Sequence, residues 1–587
     1  MSSSTVLTRD PGPATGGTPK PPRYHRVFGV GREGLIQTGI FVVVVVLVLA
    51  PIVPTIYQSL LTRPLYAAHK ATTLDNYVRL FTQHNFAKVV LHSLEFAVLT
   101  TVIAVVIAVA LAVLVVRTRM PGSRAIGALL LWPLYISPLV LAFGWILMYG
   151  PAGFVSVAVK SVIGIVPWNL YTIPGMAVTE AVAMVPIAYL YCSGALRLAD
   201  PSLEDAARTC GAGPLRILRS VILPLLRPPM IYGALLIFST SLETLSVPLL
   251  YGRPVGIDLF ASFIYINGLQ RSRPDYGLLA SASVVTLAFM ALLVILQASL
   301  LRNAQRFVAV RGKAARPRRL DLGKLRWVGF AFAWLYLIFG PLLPILGLVM
   351  RSITAVFTPL VSPLRVITST NYATVFSYAS FRDSIVNSVI IALIGAVVTS
   401  FVAAVAVVVA RRSGFRLRRP LEITALSPQV VPGLILGIGF FWAFAYVPGI
   451  GAITGTLVAL IIAFGVRSLP SAFGAMAPLV MQVGRELDDA ARSVGADWWL
   501  TFSRILVRLI TPAFLAAFVL LFVQMIKEFT PAVFLASADT QVIGTTMLQL
   551  WLNGDTGSVA ALAIVQVAIT TVFVVLAGVV LKGRTDA

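Results

Sequence analysis

Two stretches of this sequence repeat each other and show how the chain is divided: SLEDAARTCGA at residues 202–212 and ELDDAARSVGA at residues 486–496. The offset from Asp205 to Asp489 is 489 − 205 = 284 residues, and Pro228 and Pro512 keep the same offset. Each stretch predicts a short helix that ends at glycine, because alanine favours helices and glycine adopts the left-handed conformation that terminates them. The chain therefore contains two related halves.

Each predicted helix offers a surface suited to docking on another protein. Its small alanines allow a second surface to approach closely, and Glu204, Asp205 and Arg208 are expected to place charge at the rim of the contact. An ordinary amphipathic helix between membrane spans would explain one such stretch, but it does not explain two copies at a fixed offset. We refer to residues 202–212 and 486–496 as docking loop 1 and docking loop 2.

The composition excludes a soluble globular protein. Of the 587 residues, 58% are hydrophobic and only 12% are charged, and the mean hydropathy is +0.91. Apolar runs of about 20 residues, long enough to cross a hydrocarbon core about 30 Å thick, recur along the chain. They predict an all-α polytopic membrane protein with about twelve transmembrane helices, near residues 35–58, 89–115, 124–148, 172–194, 229–250, 277–301, 327–350, 384–410, 420–446, 452–475, 512–535 and 557–581.

The net charge of +24 arises largely from arginines in alternate predicted loops. An excess of basic residues marks the cytoplasmic loops of membrane proteins, so both docking loops and both termini are expected in the cytoplasm. Topology and contact with membrane lipid therefore explain the charge without nucleic acid. The clusters are Arg117, Arg119 and Arg124; Arg197, Arg208, Arg216, Arg219 and Arg227; the stretch 302–326; and Arg411, Arg412, Arg416, Arg418 and Arg419.

The repeat also predicts the order of the domains. Asn76 and Ser93 recur as Asn371 and Ser388, at an offset of 371 − 76 = 295 residues. Six spans per half is an even number, so the two repeats are parallel and related by a pseudo-two-fold axis along the membrane normal. The predicted segments are a disordered cytoplasmic tail at 1–34, a first six-span repeat at 35–301, a basic cytoplasmic linker at 302–326, a second six-span repeat at 327–581 and a cytoplasmic C-terminus at 582–587.

Both docking loops resemble the Glu-Ala-Ala loop of binding-protein-dependent ABC importer permeases, in which glycine follows after three residues and Ile-x-Leu-Pro after nine more. The first copy matches with Asp205-Ala206-Ala207, Gly211 and Val221-Ile222-Leu223-Pro224. The second matches with Asp489-Ala490-Ala491, Gly495 and Ile505-Leu506-Val507, and Arg508 replaces the proline. The resemblance covers both halves and implies a fused double permease with the type I importer fold.

In that family the loop is a coupling helix that docks on the ATPase, so the resemblance implies two ATPase copies and an extracytoplasmic solute-binding protein as partners. It also implies a location in the bacterial inner membrane. The residues it assigns to coupling are Glu204, Asp205, Ala206, Ala207, Arg208, Gly211, Leu223 and Pro224 in loop 1, and Asp488, Asp489, Ala490, Ala491, Arg492 and Gly495 in loop 2.

No chemistry is expected in this polypeptide itself. The phosphate-binding pattern Gly-x4-Gly-Lys-Ser/Thr is absent from the sequence, so ATP and Mg²⁺ are expected on a separate ATPase subunit. The two cysteines and four histidines form no metal-ligand spacing. We therefore assign no catalytic, cofactor or metal site, and we predict that the chain is not an enzyme.

Ionisable residues within predicted spans are candidates for the transport pathway, because burying them in a membrane is costly. They are Glu95, Glu180, Glu243, Arg467, Lys527 and Glu528. Glu243 and Glu528 are equivalent within one residue of the repeat offset, since 528 − 243 = 285, and could line the pathway. The alternative is that they are paired or solvated charges at helix ends near the extracytoplasmic surface.

Prolines are expected to interrupt two spans in each half. Pro133, Pro138, Pro428 and Pro432 are predicted to break the third span, and Pro186 and Pro470 the fourth, because proline removes an intrahelical hydrogen bond. Pro133, Pro186, Pro428 and Pro470 are therefore candidate hinges, with static bends as the alternative.

The expected function is the transmembrane permease subunit of an ATP-driven importer. Ferric iron is the first expectation for the solute, because a single-chain double permease and the stretch at 132–145 resemble that branch. Thiamine, polyamine and aminoethylphosphonate remain open. An ion-coupled secondary transporter also often has two six-span halves; it needs a charge network in the membrane but no paired docking helices. A scaffold without transport activity would leave the docking repeat unexplained.

Overall fold

The computed structural model describes residues 32–200, 202–270, 274–304, 320, 323–446, 449–484, 486–493, 495, 500, 504 and 507–585. The predicted tail at 1–34 and linker at 302–326 therefore lie largely outside the described residues. Within them the chain is helical, and its only β pairing consists of three isolated bridges. The all-α prediction is confirmed.

The described residues of the first half form twelve α-helices. They are α1 (Arg32–Ser59), α2 (Asp75–Thr82), α3 (Phe86–Arg117), α4 (Ser123–Leu129), α5 (Pro138–Tyr149), α6 (Phe154–Ile163), α7 (Ile173–Leu198), α8 (Ser202–Thr209), α9 (Pro214–Ile217), α10 (Leu223–Glu243), α11 (Phe260–Tyr265) and α12 (Tyr276–Ala304). A π turn at Leu218–Ile222 joins α9 to α10, so they form one long helix.

Twelve further helices follow in the second half as it is described. They are α13 (Leu325–Leu337), α14 (Leu343–Ser352), α15 (Thr370–Ser377), α16 (Ala379–Arg412), α17 (Arg418–Leu426), α18 (Gly433–Tyr446), α19 (Leu457–Gln482), α20 (Glu486–Ser493), α21 (Val507–Ile526), α22 (Ala532–Leu535), α23 (Ile543–Leu552) and α24 (Thr556–Thr585). A π turn at Ile338–Leu342 joins α13 to α14.

Eleven described helices are long and apolar enough to cross a membrane. A twelfth crossing comes from α17 and α18, which are bent by 111°. A second bent pair, Pro248–Val255 and Phe260–Gln270 at 76°, lies between the fifth and sixth spans, where α22 and α23 lie in the second half. We interpret it as re-entrant, because a full crossing there would put the docking loops at opposite ends. The prediction of about twelve spans is confirmed.

Both docking loops lie at the same end of the bundle, which we call the docking end. Leu320, just before the second half, pairs with Thr118 at the end of α3, beside docking loop 1. The chain then rises through α13–α14 and returns through α16. Arg412, the last residue of α16, donates to the carbonyl of Gly484 next to docking loop 2 at 3.0 Å.

Some predicted boundaries were wrong. The fifth span was expected at 229–250, but the helix begins at Pro214 and ends at Glu243. The eleventh, expected at 512–535, is Val507–Ile526, and the tenth, expected at 452–475, is Leu457–Gln482. Hydropathy identifies only the apolar part of a helix, whereas these helices also include polar residues near the docking end.

The first span of each half packs against the other half. A Cβ atom at Gly144 on α5 would lie 2.6 Å from the carbonyl oxygen of Pro344 on α14, and one at Gly439 on α18 would lie 2.2 Å from that of Pro51 on α1. These two glycines, 439 − 144 = 295 residues apart, therefore permit close backbone approach at equivalent places. The exchanged first spans interlock the halves.

The repeated asparagine stabilises the end of the first span. In the first half the Asn76 side chain donates to the carbonyls of Ser59 and Leu61, each at 2.9 Å. In the second half Asn371 donates to the carbonyl of Ser352 at 3.0 Å. Carbonyls at a helix end lack donors within the helix, so the asparagine amide donates the hydrogen bonds that they would otherwise lack.

The repeated serine anchors the re-entrant segment to the second span. Ser93 on α3 accepts a hydrogen bond from the backbone N–H of Phe260 at 3.0 Å. Ser388 on α16 accepts one from Ile543 at 2.9 Å. Each hydroxyl therefore accepts a hydrogen bond from the first backbone N–H group of a short helix, α11 or α23, inside the bundle.

The prolines act as predicted in the third span but not in the fourth. A 3₁₀ turn at Trp132–Tyr135 separates α4 from α5, and one at Ser427–Val430 separates α17 from α18. By contrast, α7 runs through Pro186 and α19 through Pro470. Pro186 frees the carbonyl of Val182, and the Tyr336 hydroxyl of the other half donates to it at 3.0 Å. A neighbouring helix thus preserves α7.

Candidate functional site

Docking loop 1 has the predicted form of a helix, a glycine and a second helix. The Asp200 carboxylate accepts the backbone N–H of Ser202 at 2.9 Å, where α8 begins. Gly211 follows α8 with φ of +77°, and Ala212 N–H donates to the Ala207 carbonyl at 3.0 Å. This closure requires the left-handed conformation, which glycine adopts at low cost.

One expected rim charge is buried. The Glu204 carboxylate pairs with the Arg117 guanidinium at the end of α3, with 3.1 Å between Oε1 and Nη1, and the side chains are 4% and 1% exposed. Burial raises the pKa of the Glu204 carboxyl above its usual range, against the opposing effect of the Arg117 charge. Desolvation therefore outweighs attraction, so the pair positions α8 rather than adding much net stability.

The exposed surface of α8 is more apolar than its charges suggest. Leu203 is 49% exposed and Ala206 is also exposed. Asp205 and Arg208 pair with each other within the helix at 3.3 Å, and both are partly exposed. A leucine and an alanine therefore form the centre of the accessible face, with an ion pair beside them. Ala206 was predicted to be a coupling residue, whereas Leu203 was not.

Docking loop 2 repeats this backbone. Helix α20 runs over Glu486–Ser493, and Gly495 has φ of +81°. Leu487, the counterpart of Leu203, is 43% exposed, and Ala490 is exposed too. The predicted coupling side chains of Asp488, Asp489, Ala491 and Arg492 lie outside the structural description, so their roles stay predictions.

The exit from each docking loop leads directly into the fifth span. Leu223 and Pro224 are the first two residues of α10 and directly follow the π turn at Leu218–Ile222. Arg508, which replaces the proline, is the second residue of α21. Both residues therefore occupy the same helical position, and the substitution does not break the helix.

The predicted pathway residues Glu243 and Glu528 meet at one arginine. Arg467 on α19 binds Glu243 of the first half, with 2.7 Å from Nη2 to Oε1. Its Nε lies 3.8 Å from Oε2 of Glu528, and its Nη1 donates to the carbonyl of Val431 at 2.9 Å. The side chains are 12–22% exposed. We call Glu243, Arg467 and Glu528 the inter-half ion cluster.

This cluster is not symmetric between the halves. The strict repeat offset pairs Glu243 with Lys527, since 527 − 243 = 284, and pairs Arg467 with Ala183, since 467 − 183 = 284. Lys527 donates to the carbonyl of Leu134, in the break of the third span of the other half. Both cations therefore come from the second half. Each donates to a backbone carbonyl at the break of a third span, Arg467 to Val431 and Lys527 to Leu134.

The other candidates do not join the cluster. Glu95 is exposed on α3 and Glu180 is buried on α7, and neither takes part in an ion pair among the described residues. Cys192 is buried and Cys210 is exposed. The described part of the chain contains no group of three or more His, Cys, Asp or Glu side chains that could hold a metal ion.

Comparison with known families decides the class of protein. Residues 104–308 and 402–585 each match the family described as binding-protein-dependent transport system inner membrane component. The chain belongs to this family. It is a multi-pass inner membrane permease of the binding-protein-dependent ABC importer type, with two permease domains fused in one chain. The inter-half ion cluster is the charge network that a secondary transporter would need, but the family match assigns the chain to the importers.

Several relatives match this permease. It is 27% identical over 475 residues to the putative ferric transport system permease protein FbpB 1 of Haemophilus influenzae, covering 79% of this chain and 73% of the relative. It is 28% identical over 515 residues to the ferric transport system permease protein FbpB of Actinobacillus pleuropneumoniae, covering 85% and 72%. The molybdenum transport system permease protein ModB of Escherichia coli is 31% identical over 153 residues, covering 26% and 66%.

Two functional contacts were missed by sequence reasoning. Arg117 was assigned to a basic loop, although it ends an apolar helix and forms the buried pair with Glu204. Arg467 was recognised only as an isolated charge in a span, although it joins both predicted pathway carboxylates. The available signal was the same for both: an arginine that continues an apolar span requires a partner.

Proposed function

We propose that this permease forms the transport pathway of an ATP-driven importer, working with two copies of a separate ATPase and an extracytoplasmic solute-binding protein. ATP and Mg²⁺ would be bound by the ATPase. The observation that carries the proposal is the pair of docking loops at one end of the bundle, each presenting an exposed leucine and alanine next to a left-handed glycine. Two equivalent surfaces suit two identical partners.

The coupling mechanism follows from how docking loop 1 is attached. Helix α8 is joined to α3 by the buried Arg117–Glu204 pair, and it continues through α9 into α10. Movement of the ATPase would therefore displace two spans together. The ATPases need to prefer one arrangement of the halves by only a few kcal/mol to change its population.

Pro133 and Pro428 are the proposed hinges. They lie in the breaks of the third spans, where the helices already change direction, and the second-half break has the bend of 111°. Pro186 is a weaker candidate, because the Tyr336 hydroxyl satisfies the freed carbonyl and supports a static bend. Pro470 stays a candidate without a comparable contact.

The docking end is proposed to face the cytoplasm, together with both termini. Cys210 provides a direct test, because it is exposed whereas Cys192 is buried. A membrane-impermeant thiol reagent should label Cys210 in inverted membrane vesicles but not in intact cells, and a Cys210→Ser variant should lose the signal. Labelling of Cys210 in intact cells would contradict the proposed orientation.

Ferric iron is the proposed solute. Both ferric permeases match across most of this chain, whereas the molybdenum permease matches only 26% of it. Glu243 and Glu528 are proposed to line the pathway as the carboxylates of the inter-half ion cluster, to which both halves contribute. Thiamine, polyamine and aminoethylphosphonate remain alternatives; a putative 2-aminoethylphosphonate permease of Salmonella paratyphi A is 23% identical over 36% of this chain.

Reconstituted transport tests the proposal. Proteoliposomes containing the permease and its cognate ATPase should take up radiolabelled ferric iron only when ATP and the cognate binding protein are both supplied. Unlabelled ferric iron should compete, whereas thiamine, polyamine and aminoethylphosphonate should not. If one of these solutes competes and unlabelled ferric iron does not, that solute rather than iron is the substrate. ATP-independent uptake driven by an ion gradient would contradict the importer mechanism.

A further inference from the structure

The second half contains an arginine-lined cavity at the docking end. Its volume is about 440 Å³, and it lies between the end of α16, the beginning of α17 and the end of α19. Four arginines and one glutamate contribute to its wall, a formal charge of 4 − 1 = +3. These charged residues are Arg411, Arg412, Arg418, Arg419 and Glu422.

Two of the four arginines already have protein partners. Arg411 pairs with Glu422, and Arg412 donates to the carbonyl of Gly484 at 3.0 Å. Arg418 and Arg419 are exposed at the start of α17, and no hydrogen bond or ion pair of their side chains occurs among the described residues. The cavity wall therefore includes two guanidinium groups that no described side chain neutralises.

The first half carries less charge at the equivalent place. At an offset of 295 residues, Val116, Ser123 and Gly127 take the positions of Arg411, Arg418 and Glu422, whereas Arg124 takes the position of Arg419. Arg412 corresponds to Arg117, which the buried Glu204 neutralises. A general excess of basic residues at this end would apply to both halves, so it does not explain why Arg411 and Arg418 occur only in the second.

The lining also includes apolar surface next to the charge. Val480 and Met481, at the end of α19, complete part of the wall, and Met481 is 57% exposed. Guanidinium groups bind phosphate oxygens with paired hydrogen bonds, which suits a planar fork better than a lysine ammonium. Basic pockets between membrane helices, bordered by apolar side chains, are suited to anionic lipid headgroups.

We propose that this cavity binds a phosphate-bearing anion, supplied either as the headgroup of an anionic phospholipid or as free phosphate. Arg418 and Arg419 are the principal ligands, and Arg411 and Arg412 complete the positive wall. The site is separate from the inter-half ion cluster and independent of the transported solute. Because Arg412 also contacts Gly484, two residues before α20, the bound anion would lie next to docking loop 2.

Native mass spectrometry of the detergent-purified full-length permease tests this site. Dioleoyl phosphatidylglycerol should bind more tightly than the zwitterionic dioleoyl phosphatidylcholine. The double variant R418A/R419A should weaken phosphatidylglycerol binding by about tenfold or more, since two basic residues near the surface are lost. The matched control is R216A/R219A, which removes two exposed arginines at the same end of the first half, outside the cavity, and should bind as wild type does.

Competition with inorganic phosphate distinguishes the two sources. If phosphate displaces phosphatidylglycerol, the site recognises the phosphate group itself; if it does not, the lipid headgroup is the ligand. The charge-preserving variant R418K/R419K should retain more binding than R418A/R419A, and it serves as the folded comparison if the alanine variant fails to purify as a single species. If R418A/R419A binds both phosphatidylglycerol and phosphate as tightly as the wild-type protein does, the proposal is wrong.

Discussion

Docking loops 1 and 2 share a backbone but differ in the charged side chains around them. In the first half, Arg117 at the end of α3 forms a buried ion pair with Glu204 on α8. In the second half the equivalent arginine, Arg412, donates to the backbone carbonyl of Gly484 and borders the basic cavity. There Arg411 and Glu422 form an ion pair at positions that Val116 and Gly127 occupy in the first half.

The difference teaches that a repeated motif preserves its outer surface more closely than the charged side chains behind it. Leu203 and Leu487 are both exposed at equivalent positions, and Gly211 and Gly495 have the same left-handed backbone. These features would face the two identical partners. Arg411 and Glu422 are not part of that surface, and a fused chain is free to differ there because strict two-fold symmetry is not imposed.

The largest predicted effect comes from breaking the anchor of docking loop 1. Glu204→Ala leaves the buried Arg117 charge without its carboxylate, and we expect the free energy of unfolding to fall by about 3–5 kcal/mol. The thermal unfolding of purified protein measures the loss. The double variant Arg117→Met with Glu204→Leu should recover most of it, because an apolar pair removes the uncompensated charge. An unchanged midpoint in the single variant would show that the pair is not buried.

Asp205→Ala is the matched control for that experiment. Asp205 is adjacent to Glu204, but it is partly exposed and pairs with Arg208 within the same helix. Exposed pairs contribute about 0–1 kcal/mol, so this variant should unfold close to wild type. A loss as large as that of Glu204→Ala would mean that the whole helix, rather than the buried pair, determines stability.

The second effect tests the asymmetry of the inter-half ion cluster. The first half has Ala183 at the position equivalent to Arg467, so Arg467→Ala gives both halves the same residue there. The variant leaves the carboxylates of Glu243 and Glu528 without the arginine between them. We expect a loss of about 2–5 kcal/mol, since one partner of a largely buried charge pair is removed. The exchange Arg467→Glu with Glu243→Arg should restore part of the loss in thermal unfolding and in transport. Equal failure of single and exchanged variants would refute the pairing.

The smallest effect should be equal in the two halves. Gly211→Val and Gly495→Val each place a side chain at a φ near +80°, at a cost of about 1–2 kcal/mol, although nothing lies within 4 Å of either added Cβ. ATPase recruitment to the membrane should fall similarly for both. Gly213→Val is the matched control, because Gly213 has φ of −71° and open space around it. Normal recruitment by both variants would contradict docking at these loops.

Much of the architecture depends on residues that are close together in the sequence, and that part was predicted. Apolar length determines a span, proline determined the breaks at Pro133 and Pro428, and glycine determined the ends of the docking helices at Gly211 and Gly495. Each of these properties is local, because a helix forms or ends according to neighbouring side chains and backbone hydrogen bonds. The docking loops could therefore be located from the sequence alone.

Only the tertiary structure decided which distant residues meet. The pairing of Arg117 with Glu204 and of Arg467 with Glu243 depends on how separate helices pack, and no local pattern encodes it. The same holds for Pro186, where the predicted break is absent because Tyr336 of the other half satisfies the freed carbonyl. Inside a membrane a charge or an open carbonyl must find its partner within the protein, and that partner comes from whichever helix packs beside it.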